Sequence, residues 1–170
     1  MKKLLLLPVI ALLFISCEGP MGPPGRDGFD GVDGINILGQ IFETQVSFSA
    51  GDNYEAFVDI PNEIEVFDTD IIMAYILVGE YEGIDIWEPL PQTLFFEDEK
   101  ILLYGYNYTT LDVGFFLDGT VDFDDLTSDF TQNIIFRVAV LPADAVQGMD
   151  LSNMENVLNS LQNKEIIKIN

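Results

Sequence analysis

The chain has 170 residues, of which 29 are acidic and 7 basic, with no histidine and a single cysteine, Cys17. Lys2 and Lys3 precede Ser16 and every acidic residue follows it, so from Cys17 onward five basic residues face 29 acidic ones, a net charge of −24. That balance excludes nucleic-acid binding, which relies on Lys and Arg against phosphates, and membrane attachment through a basic patch. The missing histidine and second cysteine exclude His-dependent triads, intramolecular disulfides and Cys-based metal sites.

Met1-Lys2-Lys3 forms a short basic start, and Leu4 to Ile15 is an apolar run of twelve residues broken only by Pro8. It is too short to span a bilayer and has the layout of an export leader. Phe14-Ile15-Ser16-Cys17 resembles the lipobox of bacterial lipoproteins. The resemblance implies a diacylglycerol-modified Cys17, a leader (residues 1–16) cut before it, and an acylated new amine. Each buried CH₂ of such chains contributes about 0.8 kcal/mol, so several chains anchor stably.

Gly19, Gly22, Gly25, Gly28, Gly31 and Gly34 then keep strict period three over residues 19–36. Glycine in every third place with proline early in the run is the collagen pattern, because only glycine fits the triple-helix axis. Six triplets with little proline make a marginal triple helix. Residues 17–36 are therefore expected to act first as a solvated, extended spacer, whose eighteen triplet residues 19–36 reach about 55 Å at roughly 3.1 Å per residue. A homotrimeric collagen stalk is the alternative.

The remaining residues, 37–170, read as one strand-rich head. Phe42, Thr44, Val46 and Phe48 alternate with polar residues, Gly51-Asp52-Asn53 signals a turn, and Tyr54 to Ile60 alternates again, which predicts a hairpin. Residues 70–78 are apolar on both faces and predict a central strand. Short strands follow over 84–87, 93–96, 101–109 and 111–117, with an acidic turn at Glu97-Asp98-Glu99. Residues 120–132 form an acidic loop, and Ile134 to Leu141 another strongly apolar strand stopped by Pro142. Ser152 and Glu155 make a capping box ahead of a one-faced helix, and residues 166–169 predict a last strand. Seven to nine short strands with one late helix predict an all-β sandwich.

Over its whole length the chain resembles the collagen-like bacterial lipoproteins of flavobacterial type. The features that carry this are Cys17, the Gly-x-y run to Gly34, Ile86-Trp87-Glu88-Pro89-Leu90-Pro91, and Ile135-Phe136-Arg137-Val138 ahead of Pro142. The resemblance implies the architecture and an outer-membrane, lipid-anchored location; it implies no activity. A dehydrogenase reading has no support, since no Gly-x-Gly-x-x-Gly follows a strand and no redox cysteine pair exists.

Two features of the head invite a ligand. Asp118, Asp122 and Asp124, with Asp125 and Asp129 close by, gather carboxylates of the kind calcium prefers, although their spacing is not that of an EF-hand. The competing reading, a solvated loop in an acidic protein, is the one expected, and no other cofactor is. Tyr104, Tyr106 and Tyr108 share one face of a strand and, if exposed, would offer a flat platform for a sugar or a protein partner, with Trp87 as a further stacking candidate. The expectation is instead that the tyrosines pack at the rim of the sandwich with their hydroxyls in water, and that Trp87 plugs the structure. The chain thus reads as a non-catalytic binding or structural module on a lipid-anchored spacer, with a homotrimer or a glycan-binding module as alternatives.

Overall fold

The computed structural model describes residues 39–160 and 166–169. These belong to the second of the two units into which the chain divides, Asn36–Asn170. The leader, Cys17 and the six triplet glycines lie outside the described residues.

The described residues are mostly β, arranged in two sheets. The strands are β1 (Gln40–Val46), β2 (Glu55–Asp59), β3 (Ile71–Tyr81), β4 (Ile84–Pro89), β5 (Gln92–Phe95), β6 (Ile101–Tyr108), β7 (Asp112–Gly119), β8 (Ile134–Leu141) and β9 (Ile166–Ile169). Two short helices, α1 (Ser128–Thr131) and α2 (Met154–Ser160), complete the described elements with three 3-10 turns. One sheet runs β4-β3-β8-β1-β9 and the other β2-β7-β6-β5. All neighbours are antiparallel except β1 and β9.

Alternation along the strands sends one set of side chains into the space between the sheets. Phe42, Ala74, Phe136 and Val138 of the five-stranded sheet meet Leu102, Tyr104, Val113 and Phe115 of the four-stranded one in a single apolar cluster. Phe115 stacks on Phe136 across the gap, ring centroids 4.2 Å apart. Each such side chain, fully buried, contributes about 1.5–3 kcal/mol.

The five-stranded sheet is covered on its other face too. Ile41, Tyr75, Ala139 and Leu141 pack there against Met154 and Val157 of α2. This accounts for the strands read as apolar on both faces, because β3 and β8 are interior strands between two layers. The Tyr75 hydroxyl donates to the Leu151 carbonyl at 2.6 Å and ties the covering segment to β3.

Three local readings are corrected. The segments over 42–48 and 54–60 do not form a hairpin: β1 lies in the five-stranded sheet and β2 in the other, paired with β7. Between them a 3-10 turn at Ala50–Asp52, followed by Asn53 and Tyr54 at positive φ, carries the chain across the gap. Alternation sets which way side chains point, not which strand is the partner. The loop over 120–132 is also not without structure, since it holds a 3-10 turn at Phe123–Asp125 and α1. The cap of α2 falls one residue later than read: Asn153 Oδ1 accepts from the Glu155 N–H at 2.9 Å, while the Ser152 hydroxyl donates to Asp150.

Gly119 shows where backbone freedom is needed. It sits at φ +146°, and a Cβ there would stand 2.2 Å from the Ile101 carbonyl oxygen. That oxygen is pinned by N–H donation from Thr120 and Val121. Gly79, in the exposed stretch of β3, has open space around its missing Cβ. We expect Gly119→Ala to destabilise the full chain by about 2 kcal/mol or more and Gly79→Ala to stay within about 0.5 kcal/mol, both measured by urea unfolding. Equal effects of the two substitutions would contradict this account of the β7 end.

Candidate functional site

Two stretches of the head, Ile86–Pro91 and Ile135–Val138, meet in space. Trp87 stands on the edge strand β4 and Arg137 in the middle of β8, and the guanidinium lies over the indole, 3.9 Å from the ring centroid. A cation held against a tryptophan face in this way gains about 0.5–2 kcal/mol. Arg137 points to the face covered by α2 and is 6% exposed.

A charge so placed needs a partner, and cross-strand register supplies it. Tyr75, Arg137, Glu43 and Lys168 stand directly opposite one another across β3, β8, β1 and β9. Arg137 donates through Nε (3.0 Å) and Nη2 to the same Glu43 oxygen, Oε1. Glu43 Oε2 takes the ammonium of the exposed Lys168 at 2.9 Å. Burial by itself raises the Glu43 pKa, but hydrogen bonds from Arg137 and Lys168 and their positive charges outweigh it and hold the carboxyl below its ordinary range. Sequence reasoning passed over Glu43, Arg137 and Lys168 as site residues. The available signal was a full charge in the otherwise apolar run Ile134–Leu141.

Beside this row lies an open hollow of about 680 Å³, with Trp87, Arg137, Met154, Asp150, Asn153 and Glu155 among its walls. Its cation is already matched by Glu43, and the polar groups of Asp150, Ser152 and Asn153 are engaged in the entry to α2. A second, smaller hollow of about 430 Å³, also open to solvent, lies between the sheets, bounded by β3, β5, β6, α1 and the start of β8.

The tyrosines of β6 do not form an open face. Tyr104 is buried among the core residues and donates its hydroxyl to the Phe130 carbonyl at 2.8 Å. Tyr106 is partly buried and donates to the Ile72 carbonyl at 3.1 Å. Only Tyr108, near the strand end, is open to solvent; its ring stacks on Tyr106. The expectation of hydroxyls in water is corrected as well, because Tyr104 and Tyr106 lie between the sheets and must satisfy their O–H groups on backbone carbonyls. Burial pushes the Tyr75 and Tyr104 hydroxyls up to about 12 and raises that of Tyr106, so all three remain protonated donors at neutral pH. Trp87 stands in the other sheet and joins no tyrosine surface.

The acidic loop spreads its carboxylates over separate local bonds. Asp118 accepts from the Gly119 N–H at 2.7 Å, Asp122 from the Asp124 N–H at 3.1 Å, and Asp124 from the Tyr54 hydroxyl at 2.8 Å. Among the described residues no group of three or more His, Cys, Asp or Glu side chains is disposed to hold a metal ion.

The ion pair carries a pH dependence whose sign follows from Glu43. Its folded carboxyl titrates below its unfolded one, so the stabilisation is complete above the ordinary glutamate range and fades as pH falls through the folded value. Glu43→Gln should cost about 3 kcal/mol at neutral pH, because it leaves Arg137 buried without its counter-charge. The gap between the two urea midpoints should narrow on going to pH 3. A gap that is constant across that range would contradict the assignment.

No protein family, curated protein or solved structure matches the chain, so its functional reading rests on its own residues.

Proposed function

We propose that the chain is an exported protein held in the bacterial outer membrane by lipid on Cys17, with a Gly-x-y spacer and a non-catalytic head that works as a binding module. The observation that carries the anchor is positional: the one cysteine of the chain directly follows the twelve-residue apolar leader and the small residue Ser16. The glycine triplets follow at once, so lipid, spacer and head succeed one another in the order needed to hold an acidic domain off a membrane. No described helix is long and apolar enough to cross a membrane. The binding role of the head is supported by the cavity between its sheets, whose size falls in the range of small-molecule sites.

Mass spectrometry of the mature N-terminus tests the anchor. It should find the chain beginning at an acylated Cys17, and Cys17→Ser should either release the protein from membranes or leave the leader uncut. An unmodified thiol, or a mature chain that starts at another residue, would overturn the reading.

A further inference from the structure

The cavity between the sheets is apolar at its walls and carries charge of one sign only. Ile76 of β3, Leu94 of β5, Phe130 of α1 and Ile134 of β8 bound it, with Tyr104 behind them. Tyr104 has already given its hydroxyl to Phe130 and brings a ring rather than a donor. The polar lining is three amides (Gln92, Gln132 and Asn133) and one carboxylate, Asp129, with no lysine or arginine. Gln132 donates to the Phe48 carbonyl at 3.2 Å. Among the described residues the side chains of Gln92 and Asn133 make no hydrogen bond, so each offers a donor and an acceptor there.

The backbone departs from regular geometry at two points on this lining. The β3–β4 ladder shifts register between Leu77 and Gly79, at the lining residue Val78. Asn133 takes the left-handed conformation, φ 57°, immediately before β8. Bulges and left-handed non-glycine residues collect beside binding sites because they re-aim side chains that a straight ladder would point elsewhere.

We propose that this cavity binds a small molecule with an apolar body and a neutral or singly cationic hydrogen-bonding end, such as an amide, hydroxyl or amine, and that it rejects anions. The volume, about 430 Å³, suits a molecule of that class rather than a polymer. The charge excludes fatty acids and phosphorylated ligands: a carboxylate or phosphate entering here would meet Asp129 with no cation to offset it. The proposal rests on the reading of the head as a binding module and is independent of the anchor, which the N-terminal mass tests separately.

Two fluorescent probes with the same aromatic body separate the possibilities. N-phenyl-1-naphthylamine is neutral, and its 8-sulfonate carries one negative charge. Both are titrated into the full chain at about 0.5 M salt, where charges more than a few ångströms from the probe are screened. The neutral probe should saturate at one site, and the sulfonate should bind at least about tenfold more weakly. Leu94→Trp, which fills the cavity from the edge strand, should weaken the neutral probe by about tenfold or more at unchanged circular dichroism. Asp129→Lys, at an exposed position of α1, should shift the ratio of the two affinities by about fivefold or more toward the sulfonate. The apolar leader contributes equally to every variant, so only differences between variants count. Equal affinities for the two probes, an unaffected neutral probe in folded Leu94→Trp, or an unchanged ratio in Asp129→Lys would each overturn the proposal. Should Leu94→Trp fail to fold, the ratio in Asp129→Lys decides alone.

Discussion

Arg137 sits in the centre of a strand that has no wet side. One face of β8 fills the space between the sheets and the other lies under the segment that ends in α2. The Arg137 side chain is almost wholly buried there, and a buried charge left alone costs several kcal/mol. The structure meets that cost with Glu43 directly opposite and with the Trp87 ring as a wall. Such a pair is a weak source of net stability, because desolvation of both ions offsets most of their attraction. Its effect is on register. A slip of one residue in the β1–β8 ladder would turn Arg137 or Glu43 into the apolar space between the sheets. Lys168 on the second Glu43 oxygen extends the same constraint to β9, the parallel edge strand. Three strands distant in sequence are thus aligned by one carboxylate.

Much of the polar chemistry that looks available in this head is already used to build it. The hydroxyls of Tyr75, Tyr104 and Tyr106 close bonds to backbone carbonyls of other elements. Asp122 and Asp124 hold the 3-10 turn and the crossing segment at Tyr54. The cavity between the sheets differs, since its unbonded groups are neutral amides and its one charge is negative. In a chain with so large an acidic excess, a site selective for neutral or cationic molecules requires no special electrostatics. A site for anions would need a cation that the lining lacks. Of the basic side chains described, Arg137 and Lys168 are both committed to Glu43.

Most of the strands were legible because local signals agree. The run Ile134–Leu141 became β8 residue for residue, bounded by Asn133 in a left-handed conformation and by Pro142, which cannot extend a ladder. Both-face burial of β3 was legible for the same reason: nine residues without alternation need cover on two sides. Strand pairing was not legible. Phe42 to Phe48 and Tyr54 to Ile60 carry strong alternation around turn residues, the usual signature of a hairpin, yet the chain crosses between sheets there. The apolar pattern of β1 is satisfied equally by any neighbour that presents an apolar face. Glu43 and Arg137 match across the β1–β8 ladder, a relation invisible until the two strands are side by side. The hydroxyls of the β6 tyrosines were placed in water because period two tells which residues share a side but not how deeply that side is buried. Tyr104 and Tyr106 share theirs with Leu102, which faces the core. At α2, Ser152 and Glu155 fit a capping box, but Asp150 takes the serine hydroxyl and Asn153 takes its place.

The claim that a buried ion pair holds the register of the β1–β8 ladder is tested most directly by a double-mutant cycle on Glu43 and Arg137. Glu43→Gln, Arg137→Met and the double variant are unfolded in urea at neutral pH. The account predicts strong coupling: each single change costs about 3 kcal/mol or more, and the double change costs less than the sum by at least about 1.5 kcal/mol, because neither buried charge is left alone. Additive costs, with coupling below about 0.5 kcal/mol, would mean that the two groups do not depend on each other and that the register is set elsewhere.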